Sequence, residues 1–78
     1  MTKEEFVSEV KRVAGEMRKD HPELRKGQAI FNVVDKDFNN VARIAQFDYG
    51  VDCFYDDSMI ESFLDKCYEL FNKMHKHE

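Results

Sequence analysis

Seven apolar residues near the end of the chain, Ile60, Phe63, Leu64, Cys67, Leu70, Phe71 and Met74, recur at steps of three and four. That interval keeps to one side of an α-helix but alternates sides of a strand, so it predicts a helix with a broad apolar stripe, capped by Asp56 or Asp57. A stripe this wide has to be covered by other elements, and the chain has only 78 residues in all. A chain of that length buries only about 60% of the surface its unfolded form exposes, which leaves room for one core. One helical domain over residues 1–78 is expected.

The partners of that stripe are legible further up the chain. Thr2 and Glu5 have the spacing of a capping box, and Phe6, Val10, Val13, Ala14 and Met17 follow on one helical face, predicting a first helix from about 3 to 19. Its other face, with Lys11, Arg12, Glu16, Arg18 and Lys19, reads as solvated. Asp20-His21-Pro22 should end it, with Pro22 free to open the next helix. From about Glu23 to Asp35 a second helix places Gly27, Ile30, Phe31 and Val34 on one side and Arg25, Gln28 and Asn32 along a polar edge. Val41, Ala42, Ile44 and Ala45 predict a short third helix ending near Gln46, behind Asp37 or Asn39 as cap. The alternative is a β-hairpin across 41–55 with Tyr49-Gly50 at its turn. Residues 47–56 read as an ordered loop pinned by Phe47, Tyr49, Phe54 and Tyr55. The expected fold class is all-α, with three to four helices, the first, second and fourth antiparallel or crossing, and the aromatic loop over one end.

Sixteen acidic against twelve basic residues give a net charge of −4, so no general attraction to nucleic acid or anionic lipid is expected. The deficit sits in the middle: residues 1–27 carry +1, residues 28–58 carry −4 and residues 59–78 carry −1. Arg18, Lys19, Arg25 and Lys26 could touch phosphates, yet Glu16, Asp20 and Glu23 interleave them, which reads as a salt-bridged surface. A weak nucleic-acid-binding regulator is therefore the second reading. No apolar run approaches the roughly 18 residues of a membrane span, and Met1-Thr2-Lys3-Glu4-Glu5 does not resemble a secretory signal. A cytoplasmic protein with Cys53 and Cys67 both reduced is expected, Cys67 as a small hydrophobe on the last helix.

Candidate chemistry is sparse. Asp35-Lys36-Asp37-Phe38-Asn39-Asn40 opens like a calcium loop, but Asn40, Ala42 and Gln46 stand where glycine, a β-branched residue and a closing glutamate belong. His75 and His77 resemble a weak transition-metal pair at a fraying end. Asp52, Asp56 and Asp57 offer carboxylates, and Cys53 with His21 a thiol and a base. Gly15, Gly27 and Gly50 are isolated, so no phosphate loop is present. The expectation is a protein that is not an enzyme and holds no metal or cofactor, a small enzyme with a carboxylate or thiol site being the third reading.

The blocks Arg25-Lys26-Gly27-Gln28-Ala29-Ile30-Phe31-Asn32 and Asp52-Cys53-Phe54-Tyr55-Asp56-Asp57, followed by Ile60 and Phe63-Leu64, resemble a pattern in short uncharacterised bacterial and phage-associated helical proteins. The resemblance spans residues 25–64 and implies a shared helix, loop and last helix, with no assigned activity. This chain has Cys53 where that pattern would carry proline. Two explanations of the block are open. In the first, the polar edge of the second helix bonds the backbone of the 47–56 loop while Phe31 and Phe54 bury against the last helix. In the second, Arg25, Gln28, Asn32, Asp52 and Tyr55 form a surface that grips another protein. The expected role is a small noncatalytic accessory protein with a protein partner, and a homodimer is a further expectation because small cores are often completed by association.

Overall fold

Thr2 starts the first helix as its spacing from Glu5 predicts. The Glu5 N–H donates to Thr2 Oγ1 at 3.1 Å, and the Thr2 N–H donates back to Glu5 Oε1 at 2.7 Å, which holds the Glu5 carboxyl below its ordinary range. In this computed structural model, which describes residues 1–38 and 40–74, α1 spans Lys3–Asp20. α2 spans Lys26–Asp37, α3 Val41–Asp48, and a single 3-10 turn over Asp57–Met59 leads into α4, Ile60–Met74. The fold is all-α among the described residues.

Three boundaries differ from the sequence expectation. Residues 21–25 form a turn rather than the start of α2, because the Leu24 N–H closes on the His21 carbonyl at 3.0 Å and Arg18 Nε donates to the Leu24 carbonyl at 3.1 Å. Pro22 thus opens a turn, and extended Arg25 becomes the cap of a helix that then runs two residues beyond Asp35. Asp37 is consequently the last residue of α2 and does not cap α3, whose capping position is Asn40; Asn39, the other expected cap, lies outside the described residues. The hairpin alternative across 41–55 is absent because α3 continues to Asp48 and Gly50, at φ +71°, then turns the chain as few other residues could. The Val51 N–H closes this turn on the Ala45 carbonyl at 3.2 Å.

The stripes meet in one core. α1 lies chiefly along α2 and α3 along α4, burying Phe6, Val10 and Ala14, then Ile30, Val33 and Val34, then Val41 and Ala45, against Phe63, Leu64 and Cys67. Each large side chain fully buried there contributes about 1.5–3 kcal/mol. Lys3–Asp65 and Lys11–Glu61 (3.0 Å) pair across α1 and α4, but exposed pairs add little.

Phenylalanines divide into two clusters. Phe6, Phe38 and Phe71 meet at centroid distances of 4.9–6.1 Å, and Phe31 meets both Phe54 and Phe63 at 5.5 Å. Six of the seven are thereby placed. Phe47 is the seventh, and it is 74% exposed.

Candidate functional site

The loop before α4 is tied to the first turn of α2, where backbone N–H groups lack helical acceptors. The Gly27 N–H donates to Asp57 Oδ1 at 3.1 Å, so a carboxylate thirty residues away caps this helix and faces the positive end of its dipole. Arg25 Nη2 donates to the Phe54 carbonyl, and Arg25 Nε stands 3.6 Å from Asp57 Oδ1. Gln28 Oε1 accepts the Arg25 N–H at 2.9 Å. Gly27 is required by close approach: a Cβ there would lie 2.1 Å from the Cys53 carbonyl oxygen and 2.6 Å from Asp57 Oδ1.

Cys53 completes the clasp. Its Sγ donates to the Gly27 carbonyl at 3.3 Å from a fully buried position. Burial, reinforced by the Asp52 and Asp57 charges, pushes this thiol up to about 12, so it is protonated at neutral pH and lacks the thiolate a nucleophile needs. Burial raises the Cys67 thiol likewise. Both cysteines are free.

A groove opens on the outer side of this clasp. In α3, Arg43 and Phe47 are four residues apart and so share a face, opposite the one that buries Val41 and Ala45. With Gln46 they form one wall; Asp52, Phe54 and Tyr55 form the other, and Phe31 reaches the groove from α2. The groove has a volume of about 420 Å³. Phe47 and Tyr55 are 74% and 75% exposed. Tyr55 stands edge-on to Phe54 at 4.9 Å, and Phe54 in turn stands edge-on to Phe31 at 5.5 Å, so a chain of rings runs from this exposed surface into the core. Asp52 turns the loop by accepting the Phe54 N–H on Oδ1 at 2.9 Å.

The five residues expected to form one gripping surface separate into two groups. Asp52 and Tyr55 line the groove; Arg25, Gln28 and Asn32 do not. Arg25 and Gln28 bond the loop and the α2 terminus, while Asn32 makes no side-chain hydrogen bond among the described residues. Of the two explanations of the block, the structural one therefore holds for Arg25 and for Phe31 with Phe54, but the polar edge does not reach the loop through Gln28 or Asn32. The expected pinning by four aromatics is also corrected: Phe54 packs inward with Cys53, whereas Phe47, Tyr49 and Tyr55 are exposed. Arg43, Gln46 and Phe47 were not singled out as site residues in the sequence, although the i, i+4 pairing of Arg43 with Phe47 is visible there.

Other candidates are reorganised as well. Asp35, which would open a calcium loop, lies in α2 and accepts Arg43. Among the described residues no three His, Cys, Asp or Glu side chains are grouped to hold a metal ion; His75 and His77 lie outside them. All four side chains of the basic cluster are exposed, and Arg18 and Arg25 donate to the loop carbonyls of Leu24 and Phe54. A wider cleft of about 870 Å³ separates α1 from the end of α2, but its Arg12 is paired with Glu9 at 2.7 Å and with Glu16 at 3.2 Å. No described helix is long and apolar enough to cross a membrane. No family model, curated protein or solved structure matches the chain.

Proposed function

We propose that this chain is a small noncatalytic protein-binding module, and that the groove between α3 and the 52–55 loop is its recognition surface. The observation that carries the reading is the paired exposure of Phe47 and Tyr55 on the two walls of one groove. Single exposed apolar residues are ordinary, but two large aromatics facing one depression forgo burial that only a partner can supply. The clasp at Gly27 supports the same reading, because it presents Asp52 and Tyr55 from a fixed loop and lowers the entropy lost on binding. Two protonated, buried thiols suit the reducing cytoplasm, where we place the module.

The test is capture from nuclease-treated lysate with the tagged chain, the double variant Phe47→Ala/Tyr55→Ala and, as a control in the wider cleft, Arg12→Ala. A stoichiometric protein held by the parent and by Arg12→Ala, and lost by the double variant, is the expected result. A partner indifferent to the double variant, or a retained species that nuclease removes, overturns the proposal.

A further inference from the structure

Resting on the reading of the groove as a protein-binding surface, we infer that its occupant is a basic linear segment, whose arginine side chain lies against the Phe47 and Tyr55 rings and meets the Asp52 carboxylate. The cation in the groove wall, Arg43, is already spent: its Nε donates to Asp35 Oδ1 at 3.2 Å and its Nη2 to Asp35 Oδ2 at 3.4 Å. Asp52 is the acidic residue of the lining, and among the described residues it has no ion-pair partner. Its bond from the Phe54 N–H fixes the carboxylate without neutralising it. Asp48 follows Phe47 in the chain and Asp56 follows Tyr55, so both exposed rings are flanked by acid.

Consider what each class of occupant would meet. A purely apolar segment would strip water from Asp52 and return nothing, which costs free energy. An acidic segment would bring like charge to Asp52 and to Asp48 and Asp56, which flank the two exposed rings. A basic segment is steered toward the same region and supplies the missing partner. Aromatic faces add to the match, because a guanidinium stacks on phenyl and phenol rings and still donates a fork of N–H groups to a carboxylate. One such contact already exists next door: Lys66 Nζ lies 4.4 Å from the centre of the Tyr49 ring. A volume of about 420 Å³ is at the small end for binding pockets, a size for one or two side chains of an extended segment rather than a folded surface.

The experiment is selection from a displayed library of random twelve-residue peptides on the full chain, followed by fluorescence-polarisation titration of the selected peptides against the parent, Asp52→Asn and Phe47→Ala/Tyr55→Ala. Asparagine at 52 keeps an oxygen for the Phe54 N–H and removes only the charge. The expected result is enrichment of arginine-bearing peptides that the double variant no longer binds, that Asp52→Asn binds about tenfold more weakly, and that lose affinity as salt rises. Groove-dependent peptides that lack a basic residue, or that ignore Asp52→Asn, overturn the basic occupant while leaving the groove as a recognition surface. An absence of any groove-dependent peptide overturns both readings. Self-association in sedimentation equilibrium that Phe47→Ala abolishes would make the occupant a second copy of this chain, and would also overturn the inference.

Discussion

Replacing Gly27 with alanine tests the clasp that sets the groove. An added Cβ would sit 2.1 Å from a backbone oxygen, that of Cys53, and 2.6 Å from Asp57 Oδ1; the backbone oxygen cannot rotate away. Either the loop moves outward or the first turn of α2 does. Moving the loop withdraws Asp57 from the Gly27 N–H and dislodges Cys53 from the core, which costs about 1–2 kcal/mol for the lost cap and about 1–3 kcal/mol for the displaced packing. Alanine returns about 1 kcal/mol of helix propensity. The net loss is about 1–4 kcal/mol, and its midpoint of about 2.5 kcal/mol corresponds to a fall of about 10–20 °C in Tm for a domain of this size. Thermal denaturation followed by circular dichroism at 222 nm measures it directly. Gly15→Ala is the internal control, since that glycine lies in α1 with nothing within 4 Å of an added Cβ; it should gain about 0.5–1 kcal/mol. A Gly27→Ala protein as stable as the parent would refute the clasp.

Further expectations separate architecture from recognition. Phe47→Ala and Tyr55→Ala should each change stability by no more than about 0.5 kcal/mol, since both rings are mostly exposed; a urea-denaturation loss above about 1.5 kcal/mol would assign them to the core instead. Asn32→Ala should melt at or slightly above the parent temperature, because no described hydrogen bond is lost and alanine is the better helix former; a clear fall in Tm would show that Asn32 ties α2 to the loop. The cysteines predict a pH dependence. Well below pH 9 both thiols are neutral folded and unfolded, whereas from about 9 to about 12 the unfolded chain has shed a proton that buried Cys53 retains. Stability should therefore fall as pH rises above 9, by at most about 1.4 kcal/mol per pH unit for this thiol, and a thiol reagent at pH 8 should modify the folded protein far more slowly than the protein in denaturant. Rapid modification of the folded chain would contradict its burial.

Helix positions were readable where a local device sets them. The Thr2–Glu5 box, the stripe of α4 and the buried face of α2 all follow from residues within a few positions of one another. What escaped the sequence is long-range. Nothing near Lys26 announces that its helix is capped by Asp57, and the start of α2 was placed too early because Pro22 is compatible with either a turn or a first helical turn. The resemblance set the helix block beside the aspartate-rich loop without giving Gly27 a role, and only the 2.1 Å approach to Cys53 explains why glycine stands there. The site was half visible for the same reason. Asp52 and Tyr55 are conspicuous in the loop, but their opposite wall depends on how α3 is rotated, and that is set by Val41, Ala42 and Ala45 entering the core. Phe47 then points outward by helical geometry, a consequence the loop reading of residue 47 concealed.

The groove between α3 and the 52–55 loop is the proposed recognition surface of this chain. Amide chemical-shift mapping of the isotopically labelled chain, titrated with the captured partner, tests it most directly. Perturbations concentrated at residues 43–47 and 51–55, with the outer face of α1 unchanged, are expected. Shifts centred instead on α1, or on Lys19 and Lys26 around the turn before α2, would contradict it.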